Sequence, residues 1–287
     1  MNEIASTQNL TNRQEDEVAI MFSGGTDSTL AAAMAAETFK KAHLLTFRTS
    51  QMAHAERSRL SSNNLIERYG ADKIVHYIID NDALFRKFYF SQYKRDVRKY
   101  GLYLNCLVCP ACGVGFQVRS LVYCRTFGCR YIWDGLQSEG TKEHLYPGLQ
   151  PEVQGMLTDL YKDYDVIRES PVYDISRTDY VLYERGITDR RGLKLRALLD
   201  ADLSEESYQE QLNRWHKTQA DCTGNVVGLV YLVCAFLPKH GQAASTKLMT
   251  EYFAERVAMA REYLEIHFNQ QPLPFLEITP QTLISNP

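Results

Sequence analysis

Apolar runs and helical patterns alternate along the first half of the chain. Four continuous apolar runs have the length and composition of strands buried on both faces of a parallel sheet; they occupy 18–22, 42–47, 73–79 and 130–133. Stretches with helical patterns lie between and beside them, at 29–41, 53–69, 84–100 and 113–127. This alternation predicts an α/β fold, with a parallel sheet and helices on both of its faces.

The second half of the chain has a different pattern. Helical segments dominate it, at 151–163, 178–185, 204–218, 226–237 and 245–268, with one short strand near 165–168 and an extended tail that contains prolines. We therefore expect a disordered lead (1–16), an α/β domain (17–145) and a mainly helical C-terminal region (146–287).

The composition narrows the class of protein. The 287 residues are 45% hydrophobic and 23% charged, which is ordinary for a globular protein that buries its own core. A formal net charge of −3 argues against a strongly basic nucleic-acid binder. No uncharged apolar run approaches the roughly 20 residues that span a bilayer, and the polar, acidic N-terminus does not have the pattern of a secretory signal or a transit peptide. These features predict a cytoplasmic protein without membrane contact.

A small polar loop follows the first apolar run and carries the clearest chemical signal. Residues 23–28 read SGGTDS. Gly24 and Gly25 allow a tight turn that brings backbone N–H groups close to an anion, and the next helix points its positive end at the same place. The loop also offers three hydroxyl groups, from Ser23, Thr26 and Ser28. Asp27 repels phosphate unless it holds Mg²⁺ or caps the helix, and the loop lacks the GxxxxGK(S/T) pattern of kinases and GTPases.

This loop resembles the PP-loop of the N-type ATP pyrophosphatases, whose signature is SGGxDS. Every fixed position matches: Ser23, Gly24, Gly25, Asp27 and Ser28. The resemblance implies an adenine nucleotide alpha hydrolase-like fold, of the HUP or Rossmann-like kind, over the α/β domain. It also implies that the loop, including Thr26, binds ATP with Mg²⁺. The enzymes of this family transfer AMP to a substrate oxygen, release pyrophosphate and then displace AMP with a nucleophile.

The same resemblance assigns roles to the ends of two further strands. Phe47 and Thr49, at the end of the second strand, are expected to line the adenine pocket. Gly135, after the fourth strand, is expected near the nucleotide, and Asp134 near the substrate. Many relatives have a Gly-His…Asp-Asp pattern here, whereas this chain reads WDGLQSE at 133–139. In the second half, Arg177 lies in a run (170–179) that resembles the stretch after the nucleotide domain, and it is expected to reach phosphate or substrate.

Five of the seven cysteines lie within a short stretch, which in a cytosolic chain indicates a metal or redox site. Cys106, Cys109 and Cys112 lie within seven residues, and the CxxC turn lets two thiolates converge on one metal. Cys112 is open to three interpretations: a ligand, a catalytic sulfur carrier or a small packed residue. Cys222 lies in a polar turn. The apolar surroundings of the other three predict core positions: Cys124, Cys129 and Cys234.

The cysteine arrangement resembles that of PP-loop enzymes that insert sulfur into nucleobases. In one branch a CxxC and a distant cysteine hold a 4Fe–4S cluster with one open iron, and the matching set here is Cys106, Cys109 and Cys222. Structural zinc, as in the PP-loop deazaguanine synthases, and metal-free thiol chemistry are the alternatives.

The leading functional hypothesis is an ATP-dependent sulfurtransferase. It adenylates a carbonyl oxygen of a nucleobase-like substrate and replaces that oxygen with sulfur, which sulfide or a cysteine desulfurase supplies. The small size and acidic balance favour a small purine, such as guanine converted to 6-thioguanine, over tRNA, and the basic stretch 86–99 is interpreted as a solvated helix face. A deazaguanine-synthase-like enzyme that uses ammonia to form an amide or nitrile, with structural zinc, is the first alternative. A non-catalytic adenine-nucleotide sensor is the second, and homodimer formation is left open.

Overall fold

Six strands form one sheet in the computed structural model of the chain, which describes residues 13–138, 150–188, 221–222, 230–279 and 282–285. The strands are β1 (Glu17–Met21), β2 (Lys41–Arg48), β4 (Ile74–Asp80), β5 (Tyr131–Trp133), β6 (Ile167–Glu169) and β8 (Leu283–Ser285). In spatial order the sheet is β6-β5-β1-β2-β4-β8. A separate two-residue pair joins β3 (Met52–Ala53) to β7 (Asp221–Cys222).

The first five strands of the sheet in this spatial order run parallel to one another, and β8 pairs with β4 in the antiparallel sense. The predicted parallel α/β sheet is therefore confirmed. The sheet also continues past residue 145, because β6 pairs with β5. Since β6 is the short strand expected near 165–168, the C-terminal region contributes directly to the sheet.

Helices cover both faces of the sheet, as the pattern predicts. Alternate residues of β1 face opposite sides: Val18 and Ile20 belong to one apolar cluster and Ala19 to the other. The helices against the first face are α1 (Thr26–Thr38), α2 (Ser58–Tyr69) and α7 (Thr178–Glu184). Those against the second are α3 (Asp82–Phe88), α5 (Val108–Phe127), α6 (Pro151–Lys162) and α8 (Leu237–Asn269).

Two helix predictions need correction. The single helix expected over 84–100 is three pieces: α3, a 3-10 turn at Phe90–Gln92, and α4 (Tyr93–Tyr100). The cysteine segment, expected to be a loop that precedes a helix at 113, is itself helical. A 3-10 helix covers Gly101–Leu107, and α5 begins at Val108. Pro110 fits this start, because the first turn of a helix has no intrahelical use for the N–H group that proline lacks.

Cys124 and Cys129 are buried, as predicted, but the prediction for Cys234 is wrong because that residue is exposed. The apolar run there forms a π-helical turn at Leu232–Phe236. This turn directs Leu232 and Phe236 into the core and leaves Cys234 on the outside. The rest of that predicted helix (226–229), the helix expected at 204–218 and residues 1–12 of the expected lead lie outside the described residues.

The long helix α8 is tied to the basic stretch by charge. Arg256 forms an ion pair with Asp96 of α4, and both side chains are fully buried. Beside this pair, Glu255 accepts bonds from Arg95 (2.8 Å) and Lys99 (2.5 Å). Part of the stretch that the sequence predicts as a solvated face is therefore a helix–helix contact.

One helical stretch, Asp82–Phe127, is long and apolar enough to meet the composition of a membrane span. Most of its apolar window is buried inside the protein (61%), as in the core helix of a globular protein.

Candidate active site

The SGGTDS loop connects β1 to α1 at the carboxyl edge of the sheet and is held by its own hydroxyl groups. Gly24 has a left-handed backbone (φ 81°), which glycine adopts without strain. The Ser28 hydroxyl donates to the carbonyl of Gly25 (3.1 Å) and accepts the backbone N–H of Ser23 (3.2 Å). From α2, the Ser61 hydroxyl donates to the carbonyl of Gly24 (2.7 Å). These bonds fix the turn in a shape whose following helix presents its positive end to an anion.

Asp27 is half-buried in the first turn of α1, and a distant element bonds its carboxylate. The Thr178 hydroxyl of α7 donates to Asp27 Oδ1 at 2.5 Å, and the neighbouring Thr26 hydroxyl donates to the same oxygen at 3.4 Å. An acidic side chain in a loop suited to phosphate is a natural ligand for a hard cation such as Mg²⁺. The donor set of the loop therefore fits ATP with Mg²⁺, and Asp27 is the residue that would hold the ion.

Gly135, which the sequence predicts near the nucleotide, lies directly against the start of α1. A Cβ atom at this position would lie 2.7 Å from the backbone nitrogen of Ser28 and 2.9 Å from the carbonyl carbon of Asp27. Both of these atoms are backbone and cannot move aside as a side-chain tip could. Glycine at 135 therefore lets the end of β5 approach the loop closely.

Asp134, predicted to contact substrate, is bonded within the fold. It accepts bonds from the guanidinium of Arg168 (2.6 Å), the hydroxyl of Ser170 (2.6 Å) and the backbone N–H of Leu136 (3.1 Å). The carboxylate thus links β5 to the segment after β6. Its position next to Gly135 still puts it at the edge where the loop lies.

The end of β2 contacts the cysteine helix. Phe47 is buried and stacks on Phe116 of α5, with 5.0 Å between ring centroids and 14° between ring planes. Thr49 is buried as well, and its Oγ1 lies 3.8 Å from the sulfur of Cys112. The structure therefore brings together Thr49 and Cys112, which the sequence proposed for separate roles, whereas Phe47 is a core residue with 5% exposure.

The predicted metal ligands lie only partly within the described part of the chain. Cys106 is buried, and burial raises the pKa of its thiol to about 12. Cys222 lies on β7 with its backbone opposite Met52, three positions after Thr49. Among the described residues, no three His, Cys, Asp or Glu side chains are grouped to hold a metal ion. The side chain of Cys222 lies outside the described residues, so Cys106, Cys109 and Cys222 as cluster ligands, and these three with Cys112 as zinc ligands, stay predictions.

Arg177 precedes α7, one position before the threonine that bonds Asp27. Its guanidinium lies 3.8 Å from the ring centroid of Tyr180 and pairs with Asp179 at 3.4 Å. About half of the Arg177 side chain is exposed. The predicted anion-binding cation is therefore at the surface, beside the segment that contacts the loop.

A buried histidine is connected to the start of the loop by hydrogen bonds. His76 of β4 bonds the hydroxyls of Ser62 through Nδ1 and of Thr46 through Nε2, both at 2.8 Å. Thr46 in turn donates to the carbonyl of Phe22, the residue before the loop (2.7 Å). Burial, with a smaller effect of the nearby Arg59 charge, lowers the pKa of His76 to about 4, so the ring is neutral at physiological pH.

Three of these contributors were not among the predicted site residues: Ser61, His76 and Thr178. Thr178 lies inside the 170–179 run that resembles the family pattern, so the signal for that region was present without a role for the residue. Ser61 and His76 carry no local signal, because their roles come only from the packing of α2 and β4 against the loop.

The family of the chain agrees with this geometry. Residues 17–179, more than half of the chain, match the family model described as "Queuosine biosynthesis protein QueC". The chain belongs to the QueC family. This family lies within the PP-loop ATP pyrophosphatase superfamily, so the resemblance of the SGGTDS loop is confirmed, and the protein is an ATP-utilising PP-loop enzyme.

Other known proteins add little to this assignment. No curated protein matches the chain. Among solved structures, the chain is similar to that of NMN synthetase from Francisella tularensis, with 18% sequence identity and a TM-score of 0.34. The similarity covers 76% of this chain and 92% of that one.

Proposed function

We propose that this member of the QueC family is an ATP-dependent deazaguanine-synthase-like enzyme, which converts a carboxylated deazaguanine-like base into an amide or nitrile with ammonia. The observation that carries the proposal is the QueC family match over residues 17–179, which contains the complete SGGTDS loop. Sequence analysis placed sulfur transfer first and the deazaguanine-synthase-like enzyme second. The family match favours the second of these.

The proposed chemistry uses ATP to create a leaving group. A carboxylate oxygen of the substrate attacks the α-phosphorus of ATP, and the bond to pyrophosphate breaks. Ammonia then attacks the carbonyl carbon of the adenylate, loses a proton and expels AMP, which leaves an amide. The amide oxygen then attacks the α-phosphorus of a second ATP, which releases pyrophosphate and a proton from nitrogen, and loss of AMP with the second proton gives a nitrile.

In this proposal the chain's own residues bind and orient the nucleotide. The backbone of the loop at Gly24 and Gly25 and the start of α1 receive the phosphates. Asp27 would hold Mg²⁺, which neutralises charge on the pyrophosphate as it leaves. Arg177, exposed beside the loop, is proposed to contact phosphate or substrate. Gly135 and Thr49 are proposed to border the nucleotide, with Asp134 close to the base.

Sulfur transfer remains the second candidate on one observation. The sulfur of Cys112 lies at the carboxyl end of β2, 3.8 Å from Thr49 Oγ1. A thiol at the edge where the nucleotide loop lies could carry sulfur without a metal, as a persulfide whose outer sulfur is transferred from the persulfide of a cysteine desulfurase. A small free base is the proposed acceptor in either case, with tRNA as the competing one.

Pyrophosphate release separates these functions. The protein is incubated with Mg²⁺, ATP and one of three acceptor pairs: carboxylated deazaguanine with ammonium, guanine with a persulfide-loaded cysteine desulfurase and a thiol reductant, or unmodified tRNA with the same sulfur donor and reductant. We expect release with the first pair only, together with a product whose mass shows oxygen replaced by nitrogen. Asp27→Asn is the inactive control. Sulfur incorporation into either other acceptor, with no amide or nitrile, would overturn the proposal.

A further inference from the structure

Thr178 reaches the signature aspartate of the nucleotide loop from a distant element. Its side chain is fully buried, and its Oγ1 lies 2.5 Å from Asp27 Oδ1 across 151 positions of sequence. Thr26, inside the loop, donates to the same oxygen at the longer distance of 3.4 Å. Of these two hydroxyl contacts, the shorter one therefore comes from outside the loop.

The element that carries Thr178 is well held. Thr178 opens α7, and the backbone N–H groups of Tyr180 and Val181 bond the carbonyl of Arg177 at 3.1 and 3.2 Å. The helix then packs along α1, where Val172 and Leu182 join the apolar cluster on that face. The hydroxyl is therefore presented from a fixed backbone rather than from a mobile loop.

The contact between Thr178 and Asp27 matters because of the charge on the Asp27 side chain. A carboxylate next to a polyphosphate is repelled unless a cation lies between the two charges. A hydroxyl that donates to Oδ1 restricts rotation of the carboxylate and so fixes its plane. Fixing a ligand before the ion arrives lowers the cost of binding that ion, as supporting hydrogen bonds do around metal ligands generally.

We propose that Thr178 is a positioning residue, which orients Asp27 so that the loop binds ATP as its Mg²⁺ complex. The inference rests on the nucleotide half of the proposed function and is independent of the acceptor base. It predicts that loss of the hydroxyl weakens binding of Mg²⁺·ATP more than binding of ATP without Mg²⁺.

Two substitutions separate the hydroxyl from the packing. Thr178→Val keeps the branched shape and removes the donor. Thr178→Ser keeps the donor and removes a buried methyl group. If Thr178 acts only through packing, serine should weaken Mg²⁺·ATP binding more than valine does. If it acts through its hydroxyl, valine should weaken that binding more.

The test is calorimetric titration of the full-length wild type and both variants with ATP, in excess Mg²⁺ and in EDTA, with thermal unfolding of each protein. We expect Thr178→Val to weaken Mg²⁺·ATP binding at least tenfold and binding in EDTA less than threefold. Thr178→Ser should stay within threefold of wild type in both conditions. Adding Thr178→Val to Asp27→Asn should change Mg²⁺·ATP binding less than twofold, because both substitutions remove the same arrangement.

Three results would overturn the inference. One is equal weakening of ATP binding with and without Mg²⁺ in Thr178→Val. Another is a serine variant that binds Mg²⁺·ATP as poorly as the valine variant. The third is wild-type binding by Thr178→Val. A wild-type protein that does not bind Mg²⁺·ATP would overturn both the proposed function and the inference, whereas normal binding without amide formation would overturn only the acceptor chemistry.

Discussion

At the scale of single residues, position 135 has no room for a side chain. Because an added Cβ would lie within 3 Å of the backbone of Ser28 and Asp27, Gly135→Ala must displace either the end of β5 or the first turn of α1. We expect at least a tenfold loss of ATP affinity while the circular-dichroism spectrum stays that of a folded protein. Calorimetric titration with Mg²⁺·ATP measures the first quantity.

Gly155→Ala is the matched control for this substitution. Gly155 lies in the middle of α6, is exposed, and has nothing within 4 Å of the place that an added methyl group would take. Alanine there should raise the unfolding free energy by up to about 1 kcal/mol, since glycine is the poorer helix former, and should leave ATP affinity unchanged. Equal ATP affinity in the two alanine variants would contradict the close approach of β5 to the loop.

His76 predicts a pH dependence of stability. Burial lowers its pKa to about 4, whereas the unfolded chain takes up the proton near the ordinary value of about 6.5. The unfolded state therefore binds more protons between these two pH values, and the unfolding free energy falls as the pH drops through that window, by up to roughly 3 kcal/mol.

The check is urea unfolding of wild type and His76→Gln at several pH values from 7 to 4. The variant is expected to lose less stability than wild type across this range, even if it is less stable at pH 7. His43, whose pKa burial also lowers, is unchanged in both proteins and cancels in the comparison. Parallel stability curves for the two proteins would show that His76 is not the titrating group.

At the scale of elements, a buried arginine on α5 bonds the C-terminal segment just before β8. Arg119 of α5 donates to the backbone carbonyls of Phe275 (2.8 Å), Leu276 (2.9 Å) and Glu277 (3.0 Å). Burial lowers its pKa to about 10, so it remains charged at neutral pH. These three bonds lie shortly before β8 in the chain, and β8 pairs along the edge of β4.

Replacing Arg119 should therefore release this segment. Arg119→Met removes the shared donor of three backbone carbonyls, and we expect a loss of roughly 3 kcal/mol of unfolding free energy or more. Hydrogen exchange at the β4–β8 pairing should accelerate as well. Arg125→Met is the control, because Arg125 is an exposed arginine of the same helix, and its removal should cost within about 0.5 kcal/mol. Similar losses of unfolding free energy in the two variants would show that the bonds of Arg119 do not stabilise the C-terminal segment.

At the scale of the whole molecule, the part of the chain that matches the family does not contain the whole apolar core. The match ends at residue 179, but the larger apolar cluster includes buried residues from α8 and the tail, among them Met249, Tyr252, Phe253, Leu264 and Leu276. The buried Asp96 also has an ion-pair partner, Arg256, in α8.

A truncated chain ending at residue 179 should expose this cluster and deprive Asp96 of its buried cation, Arg256. We expect it to aggregate or to lose cooperative unfolding, in contrast to the full chain. Expression, size-exclusion chromatography and thermal unfolding of the two chains test this. A monomeric truncated chain with a sharp melting transition would show that the family-matched segment folds alone.

Local sequence was sufficient to predict the five parallel strands of the sheet and the nucleotide loop, but not the antiparallel edge strand β8. Doubly buried strands require unbroken apolar runs, and SGGTDS encodes a turn that few other sequences can make. The loop also identified the superfamily, whereas the cysteine spacing led to sulfur transfer, a choice that the QueC match does not support.

Only the folded arrangement revealed what distant segments do at the site. The spacing predicted a loop around Cys106 and Cys109, whereas the folded segment is a 3-10 helix that runs into α5, with Cys106 buried. The same limit hid Thr178, His76 and Arg119, whose partners lie 151, 30 and 156–158 positions away. Such pairings depend on how helices pack across a sheet, and no local pattern of hydrophobic and polar residues encodes that packing.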